Sequence, residues 1–209
     1  VERLNMLLYL IRHPQPVLDQ RTCYGRSDIA VAPEVQQQCL EQLVTQLPRN
    51  VPVFSSPLHR CAGLAQLLAL RLGQADVVLE RDLQEMDFGS WELRHWDDIP
   101  WAEVEAWNQD LLHHAPGGGE TLPAMAWRIW QALRSMRARA TPAAIVVCHA
   151  GSIRMLHACA QWRAERGDTR APDQQACEDI ALRAMAQRRQ IGFGEVISLT
   201  LPAMPTPAA

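Results

Sequence analysis

Leu7-Leu8-Tyr9-Leu10-Ile11 runs without a break into Arg12-His13, and Ala144-Ile145-Val146-Val147-Cys148 runs into His149, then Ala150-Gly151. A short continuous apolar run with a polar group at its exit reads as a strand buried on both faces, as in a parallel sheet covered by helices. In open sheets of that kind, ligands bind beyond the carboxyl ends of the strands. Two imidazoles and a guanidinium are therefore expected at one sheet edge, a combination that suits phosphate chemistry.

The remainder of the chain keeps the rhythm of a layered α/β domain. Strands are expected at 6–11, 51–55, 76–79, 144–148 and 195–201, with helical patterns between them. Pro33 opens a helix whose apolar face runs through Val35, Cys39, Leu40, Leu43, Val44 and Leu47 and ends before Pro48. A second helix follows Pro57, buries Leu64, Leu67, Leu68 and Leu72, and stops at Gly73. Thr121 caps a third, with Met125, Ile129, Leu133 and Met136 on one face. A fourth starts at Gly151. The stretch from Glu85 to Gly119 is irregular and Trp-rich, with a helix expected at 101–113, and reads as a small lid inserted over the sheet edge (about 86–119). The polar, Arg-rich segment 164–190 has too weak a periodicity to assign. The tail 202–209, with three prolines and no charge, is expected to fray.

At 209 residues, 48% hydrophobic and 21% charged, the chain suits one domain with a full core. A net charge of -3 argues against a nucleic-acid or membrane-surface partner, so an anion site must be a local focus of positive charge. The six cysteines are scattered without a C-x-x-C pair and read as reduced, buried small residues of a cytoplasmic protein. The residues before Met6, a candidate start, show no signal-peptide pattern, and no apolar run is long enough to span a bilayer. The adjacent His113-His114 cannot face one ion from both rings and reads as surface. No metal ligand cluster and no cofactor are expected.

Phosphoryl transfer needs an in-line nucleophile, positive charge around the equatorial oxygens and an acid for the leaving oxygen. Arg12 and His13 leave the first strand. Ser55-Ser56-Pro57-Leu58-His59-Arg60 leaves the second and brings Arg60 to the same edge. Glu85 follows the third, and His149 leaves the fourth, with the Ala150 and Gly151 N–H groups at a helix N-terminus. Singly, each reads as a surface or capping residue. Together they fall at successive element boundaries on one edge.

These pieces, with Leu83 to Glu92, Gly118-Gly119-Glu120-Thr121 and Val147-Cys148-His149-Ala150-Gly151-Ser152-Ile153-Arg154, resemble the histidine phosphatase superfamily, the phosphoglycerate mutase-like proteins. The resemblance implies a three-layer α/β/α sandwich with a mostly parallel sheet. It also implies a cofactor-independent phosphomonoesterase in which His13 becomes phosphohistidine. By the same resemblance Arg12, Arg60 and His149 bind the phosphoryl oxygens, Ala150 adds its N–H, and Glu85 is the proton donor. A neutral imidazole attacks phosphorus without a base, and a charged His149 would add to the field of the two guanidiniums. Two departures stand out. Pro14 replaces the glycine the family usually carries after the nucleophile, removing an N–H, and Ala150-Gly151 replaces a glycine pair.

Within the superfamily, Arg12-His13-Pro14-Gln15-Pro16 with Thr22-Cys23-Tyr24-Gly25-Arg26-Ser27-Asp28-Ile29 and a short lid are similar to the α-ribazole phosphatases of cobalamin biosynthesis. A phosphoglycerate mutase would carry a longer chain and Glu-Arg-His-Tyr-Gly where this sequence has Glu85-Met86-Asp87-Phe88-Gly89. Gln15, Asp19, Arg21 and Arg26 compete to complete the pocket, and Arg26 is assigned to the substrate side. The tryptophans at 91, 96, 101, 107, 127 and 130 read first as glue for the lid, with one or two rings left to touch ligand. The partner implied is a small phosphate ester. Three alternatives remain. One is a broad phosphomonoesterase on sugar or small-molecule phosphates, and another a phosphate-binding protein without turnover. The third reads Cys148 to Arg154 as the C-x-x-G-x-x-R loop of a cysteine-based phosphatase.

Overall fold

The computed structural model describes residues 5–166 and 170–203. Strands β1 (Met6–Arg12), β2 (Val53–Ser55), β3 (Val77–Leu79), β4 (Ala143–Cys148) and β5 (Val196–Leu201) form one sheet in the order β3-β2-β4-β1-β5. All neighbours pair in parallel except β5, which runs antiparallel to β1 at the edge.

Side chains alternate along each strand, and the two faces bury different sets. Leu8 and Leu10 of β1, Phe54 of β2, and Ala144, Val146 and Cys148 of β4 pack under α4 (Leu122–Ala138), α5 (Ala150–Arg166) and α6 (Gln174–Ala186). Ile11, Val53, Ile145 and Val147 pack under α1 (Pro33–Leu43) and α2 (His59–Leu72). Each fully buried Leu or Ile of these layers contributes about 1.5–3 kcal/mol of transfer free energy. The result is an α/β/α sandwich with central strands covered on both sides.

Local chemistry sets the element ends. Gly73 closes α2 with φ 85°, a left-handed conformation open to glycine, and Thr121 caps α4 by accepting the Ala124 N–H at 3.3 Å. Helix α1 ends at Leu43, one turn short of the reach of its apolar pattern, although Leu47 stays buried. Strand β2 starts at Val53, not at 51. The helix expected at 101–113 is α3 (Trp101–Gln109), broken at Asp110, whose carboxylate accepts the His113 N–H.

Most of the unassigned stretch 164–190 is helix. Arg166 ends α5, and Asp173 caps α6 through the Ala176 N–H at 2.9 Å. The buried stripe of α6 is Ala176, Cys177, Ile180, Ala181 and Ala184, mostly small residues that give little hydrophobic contrast. Residues 167–169, and 204–209 of the tail expected to fray, lie outside the described residues. Pro202 and Ala203 are tied down, by Arg137 and by Asn5. No helix among the described residues is long and apolar enough to cross a membrane.

Candidate active site

Register carries four of the expected residues to one place. Arg12 pairs with Cys148 and Ser55 with Val147, so β1, β2 and β4 end level with one another. The chain beyond each end stays tethered, the His13 N–H donating to the Cys148 carbonyl and the Ser56 N–H to that of Val147, both at 3.0 Å. Arg12, His13, Arg60, Glu85, His149 and Ala150 line one cavity of about 360 Å³, together with Gln15, Asp19, Thr22, Tyr24, Phe88, Trp96 and Phe193.

His13 is 2% exposed, and its Nδ1 lies 2.7 Å from the Pro14 carbonyl oxygen. A carbonyl only accepts, so Nδ1 carries the hydrogen and the lone pair is left on Nε2. Burial, followed by the Arg60 guanidinium and, more weakly, Arg12, pushes the His13 pKa down to about 3, against the Pro14 bond, which raises it. The imidazole is thus neutral, of fixed tautomer, and flanked by two guanidiniums. Pro14 costs an N–H but supplies the carbonyl that sets this tautomer.

Arg60 is fully buried and donates to the carbonyls of Gly25 and Ser27, the latter at 2.6 Å. Arg12 donates to the Ile191 carbonyl at 2.5 Å and lies with Cζ 3.8 Å from the centre of the Phe193 ring. Nε of both arginines is buried without a hydrogen-bond partner among the described residues. Such donors fit an anion such as phosphate. His149 is buried, its ring centre 5.1 Å from that of His13, with Nε2 2.9 Å from Ser56 Oγ. Burial, then Arg60 and His13, holds its pKa well below the ordinary value. In this structure His149 is therefore held toward its neutral, hydrogen-bonding form by burial and the neighbouring guanidinium.

Glu85 is placed by backbone. One carboxylate oxygen accepts the Gly151 N–H at 2.9 Å, at the first turn of α5, and the other accepts its own neighbour's N–H at Met86. A Cβ at position 151 would lie 2.3 Å from the Glu85 carboxylate, which accounts for the glycine there. Behind it, Arg128 donates to the carbonyls of Asp82, Gln84 and Glu85 and pairs with Glu120 at 2.7 Å. Ser152 Oγ also holds the Leu83 and Gln84 carbonyls.

Arg26 is placed differently from its sequence assignment and does not line this cavity. Its guanidinium lies 3.3 Å from Asp87 and 3.5 Å from Glu120, tying the 24–28 loop to the lid. Of its competitors, Gln15 and Asp19 reach the cavity, while Arg21 pairs with Asp97 on the surface. Cys148 faces the α4–α6 core, fully buried, and burial pushes its thiol well above the ordinary range. That is the opposite of an activated thiolate, so the cysteine-based alternative falls.

Sequence pattern alone assigns no role to Glu92, Ser56, Arg128 or Phe193. Glu92 accepts the N–H groups of Gly25, Arg26, Ser27 and Phe88 and the Ser27 hydroxyl. Burial opposes its ionisation, but the Ser27 hydroxyl and those N–H groups together hold its carboxyl below the usual range. A glycine-flanked aromatic, Gly192-Phe193-Gly194, was the available signal for Phe193.

A family model of the histidine phosphatase superfamily (branch 1) matches residues 8–191. The chain belongs to this superfamily. Among its curated relatives, the probable phosphoglycerate mutase GpmB of Cronobacter sakazakii is 29% identical over 136 residues, 61% of each chain. The chain therefore spans about three fifths of the length of the curated relatives it matches. Solved structures similar to it include the α-ribazole phosphatase of Shigella flexneri (22% identity, 96% of each chain, TM-score 0.69). A mycobacterial glucosyl-3-phosphoglycerate phosphatase is also similar (21% identity, 94% of this chain and 90% of that one, TM-score 0.70). At these identities the two structures share the fold of this chain.

Proposed function

We propose that the protein is a phosphomonoesterase that works through a phosphohistidine on His13. The observation that carries this reading is the neutral His13 imidazole, its hydrogen fixed on Nδ1 by the Pro14 carbonyl, between two guanidiniums whose Nε groups are unpartnered. In the first step the Nε2 lone pair attacks phosphorus, the ester P–O bond breaks, and a protonated Glu85 gives its proton to the leaving alkoxide. In the second, the Glu85 carboxylate takes a proton from water, whose oxygen attacks phosphorus. The P–N bond breaks and its electron pair returns to Nε2, releasing inorganic phosphate. The guanidiniums of Arg12 and Arg60 balance the equatorial charge throughout.

The substrate we propose is α-ribazole 5'-phosphate. Tyr24, Phe88, Trp96 and Phe193 give the cavity aromatic walls, and stacking an aromatic base on such a ring is worth about 1–3 kcal/mol. Phosphoglycerate fits less well. Its carboxylate needs a further cation, and beyond Arg12 and Arg60 the cavity's described lining holds no arginine or lysine.

The test is steady-state kcat/KM on α-ribazole 5'-phosphate beside sugar phosphates, 3-phosphoglycerate and p-nitrophenyl phosphate. A hundredfold preference, about 2.7 kcal/mol of transition-state discrimination, is expected for the ribazole ester. A flat profile would leave a broad phosphomonoesterase. Glu85→Gln should slow alkyl esters at least tenfold more than p-nitrophenyl phosphate, whose leaving group hardly needs a proton; equal losses would remove Glu85 from the acid role.

A further inference from the structure

A second cavity, of about 180 Å³, lies between α5 and the segment that joins α6 to β5. One side is apolar, made by Ile153, Ile191 and Ile197. The other carries Arg154 and His157, one helical turn apart on α5, with Arg189 beside them. Arg154 Nε and His157 Nε2 are both buried and lack hydrogen-bond partners among the described residues. Native interiors rarely leave such atoms unpaired. Arg189 is ion-paired with Glu195, and a terminal nitrogen of Arg154 donates to the Arg189 carbonyl at 3.0 Å. Arg154 has no carboxylate partner among the described residues, so one positive charge is left over. The phosphate clamp does not use this arginine.

We propose that this cavity binds a small monocarboxylate with a short branched apolar chain. The Arg154 guanidinium, with the His157 ring one turn along α5, offers nitrogen partners for a carboxylate, and a single uncompensated charge matches a monoanion better than a phosphate dianion. The three isoleucines take the chain, and the volume, equal to about six water molecules, limits it to a few carbons. The site adjoins the clamp. Ile191 lines the cavity and its carbonyl accepts from Arg12, while Phe193, two residues on, covers the Arg12 guanidinium. An occupant would thus press on the segment that orients Arg12.

The test needs no turnover, so it stands or falls separately from the proposed hydrolysis. Protein with 13C-labelled isoleucine methyls is titrated with 4-methylpentanoate and, in parallel, with inorganic phosphate. Saturable shifts at Ile153, Ile191 and Ile197 are expected from the carboxylate at millimolar concentration, with Ile99 and Ile129 unmoved. Arg154→Met should weaken this binding tenfold or more. The proposal is overturned by any of three results. The first is no saturable shift up to about 10 mM, weaker than the millimolar end of small-ligand affinity. The second is shifts centred elsewhere, and the third is phosphate titrating these methyls more tightly than the carboxylate.

Discussion

The clamp and the aromatic wall line a single cavity, and they are built in opposite ways. His13, Arg60 and His149 are buried, and each is held by groups that cannot move without breaking the sheet or a helix start. Arg60, for example, is anchored on the Gly25 and Ser27 carbonyls and His13 on that of Pro14. Trp96 and Phe193 stand on irregular segments, 38% and 39% exposed, and their ring contacts are to other side chains. Chemistry that tolerates little displacement thus sits on the rigid scaffold. The rings proposed to recognise the leaving group sit on segments that can vary without disturbing the core.

The largest effect expected from breaking this contrast is at the nucleophile. His13→Ala should lower kcat by about 10⁴-fold or more, since the cavity's other imidazole, His149, has its Nε2 engaged by Ser56 Oγ at 2.9 Å. Single-turnover assays with acid-quench trapping would check it. Phosphoenzyme still forming in the variant would move the nucleophile elsewhere.

Glu92 comes next, because it joins the two regions. Its carboxylate gathers the backbone of the 25–27 loop, and the carbonyls of that loop hold Arg60. Glu92→Ala leaves several half-buried N–H groups without an acceptor, so stability should fall by about 3 kcal/mol. KM should rise about tenfold as Arg60 loosens, the size of one weakened charged contact. Urea unfolding beside Michaelis kinetics separates the two. An unchanged midpoint would show that the loop is held by something else.

How legible these regions were in the sequence follows from the same contrast. Strand ends are announced by apolar runs, so pattern alone carries Arg12, His13, Arg60 and His149 to one edge. Gly151 was legible as a glycine but not as the residue that makes room for Glu85. Glu92 and Arg128 were invisible because an acid or base gripping backbone looks, in sequence, like any solvated charge. The lid shows the other limit. Its tryptophans were read as glue, and Trp91 is indeed buried, packed edge-to-face on Trp96 and Trp107 and donating to Glu103 at 2.7 Å. That Trp96 also reaches the cavity depends on the turn at 96–98, which no periodicity announces. The pairing of Arg26 with Asp87 and Glu120 is hidden for a similar reason, since both acids are far away in the chain.

Acid should act on the clamp in a way one substitution exposes. The His13 pKa is about 3 in the folded protein against 6.5 for an ordinary histidine. Above pH 6.5 neither state is charged and His13 has no effect on stability. Between 6.5 and about 3 the unfolded chain binds a proton that the native state refuses, so stability falls as the pH falls, and below about 3 the loss levels off. Each such histidine steepens the dependence by up to about 1.4 kcal/mol per pH unit. His149 is shifted in the same direction. Urea unfolding at pH 6, 5 and 4 should show His13→Ala with a shallower slope than the wild type, by about one proton. Equal slopes would mean that His13 titrates normally in the native protein.

The smallest effect belongs to the wall. Phe193 packs its ring against Arg12 and lies 5.6 Å from the His13 ring, yet it hydrogen-bonds to neither. Phe193→Leu keeps apolar bulk and removes the ring face, which is worth about 0.5–1.5 kcal/mol in an aromatic or cation–π contact. If the wall recognises the leaving group, kcat/KM should fall about three- to tenfold for aromatic esters and barely change for glycerol phosphate. If the ring serves chiefly to hold Arg12, both substrates should lose equally. The second outcome would make Phe193 part of the clamp, and the line between rigid chemistry and variable recognition would have to be drawn beyond it, at Trp96.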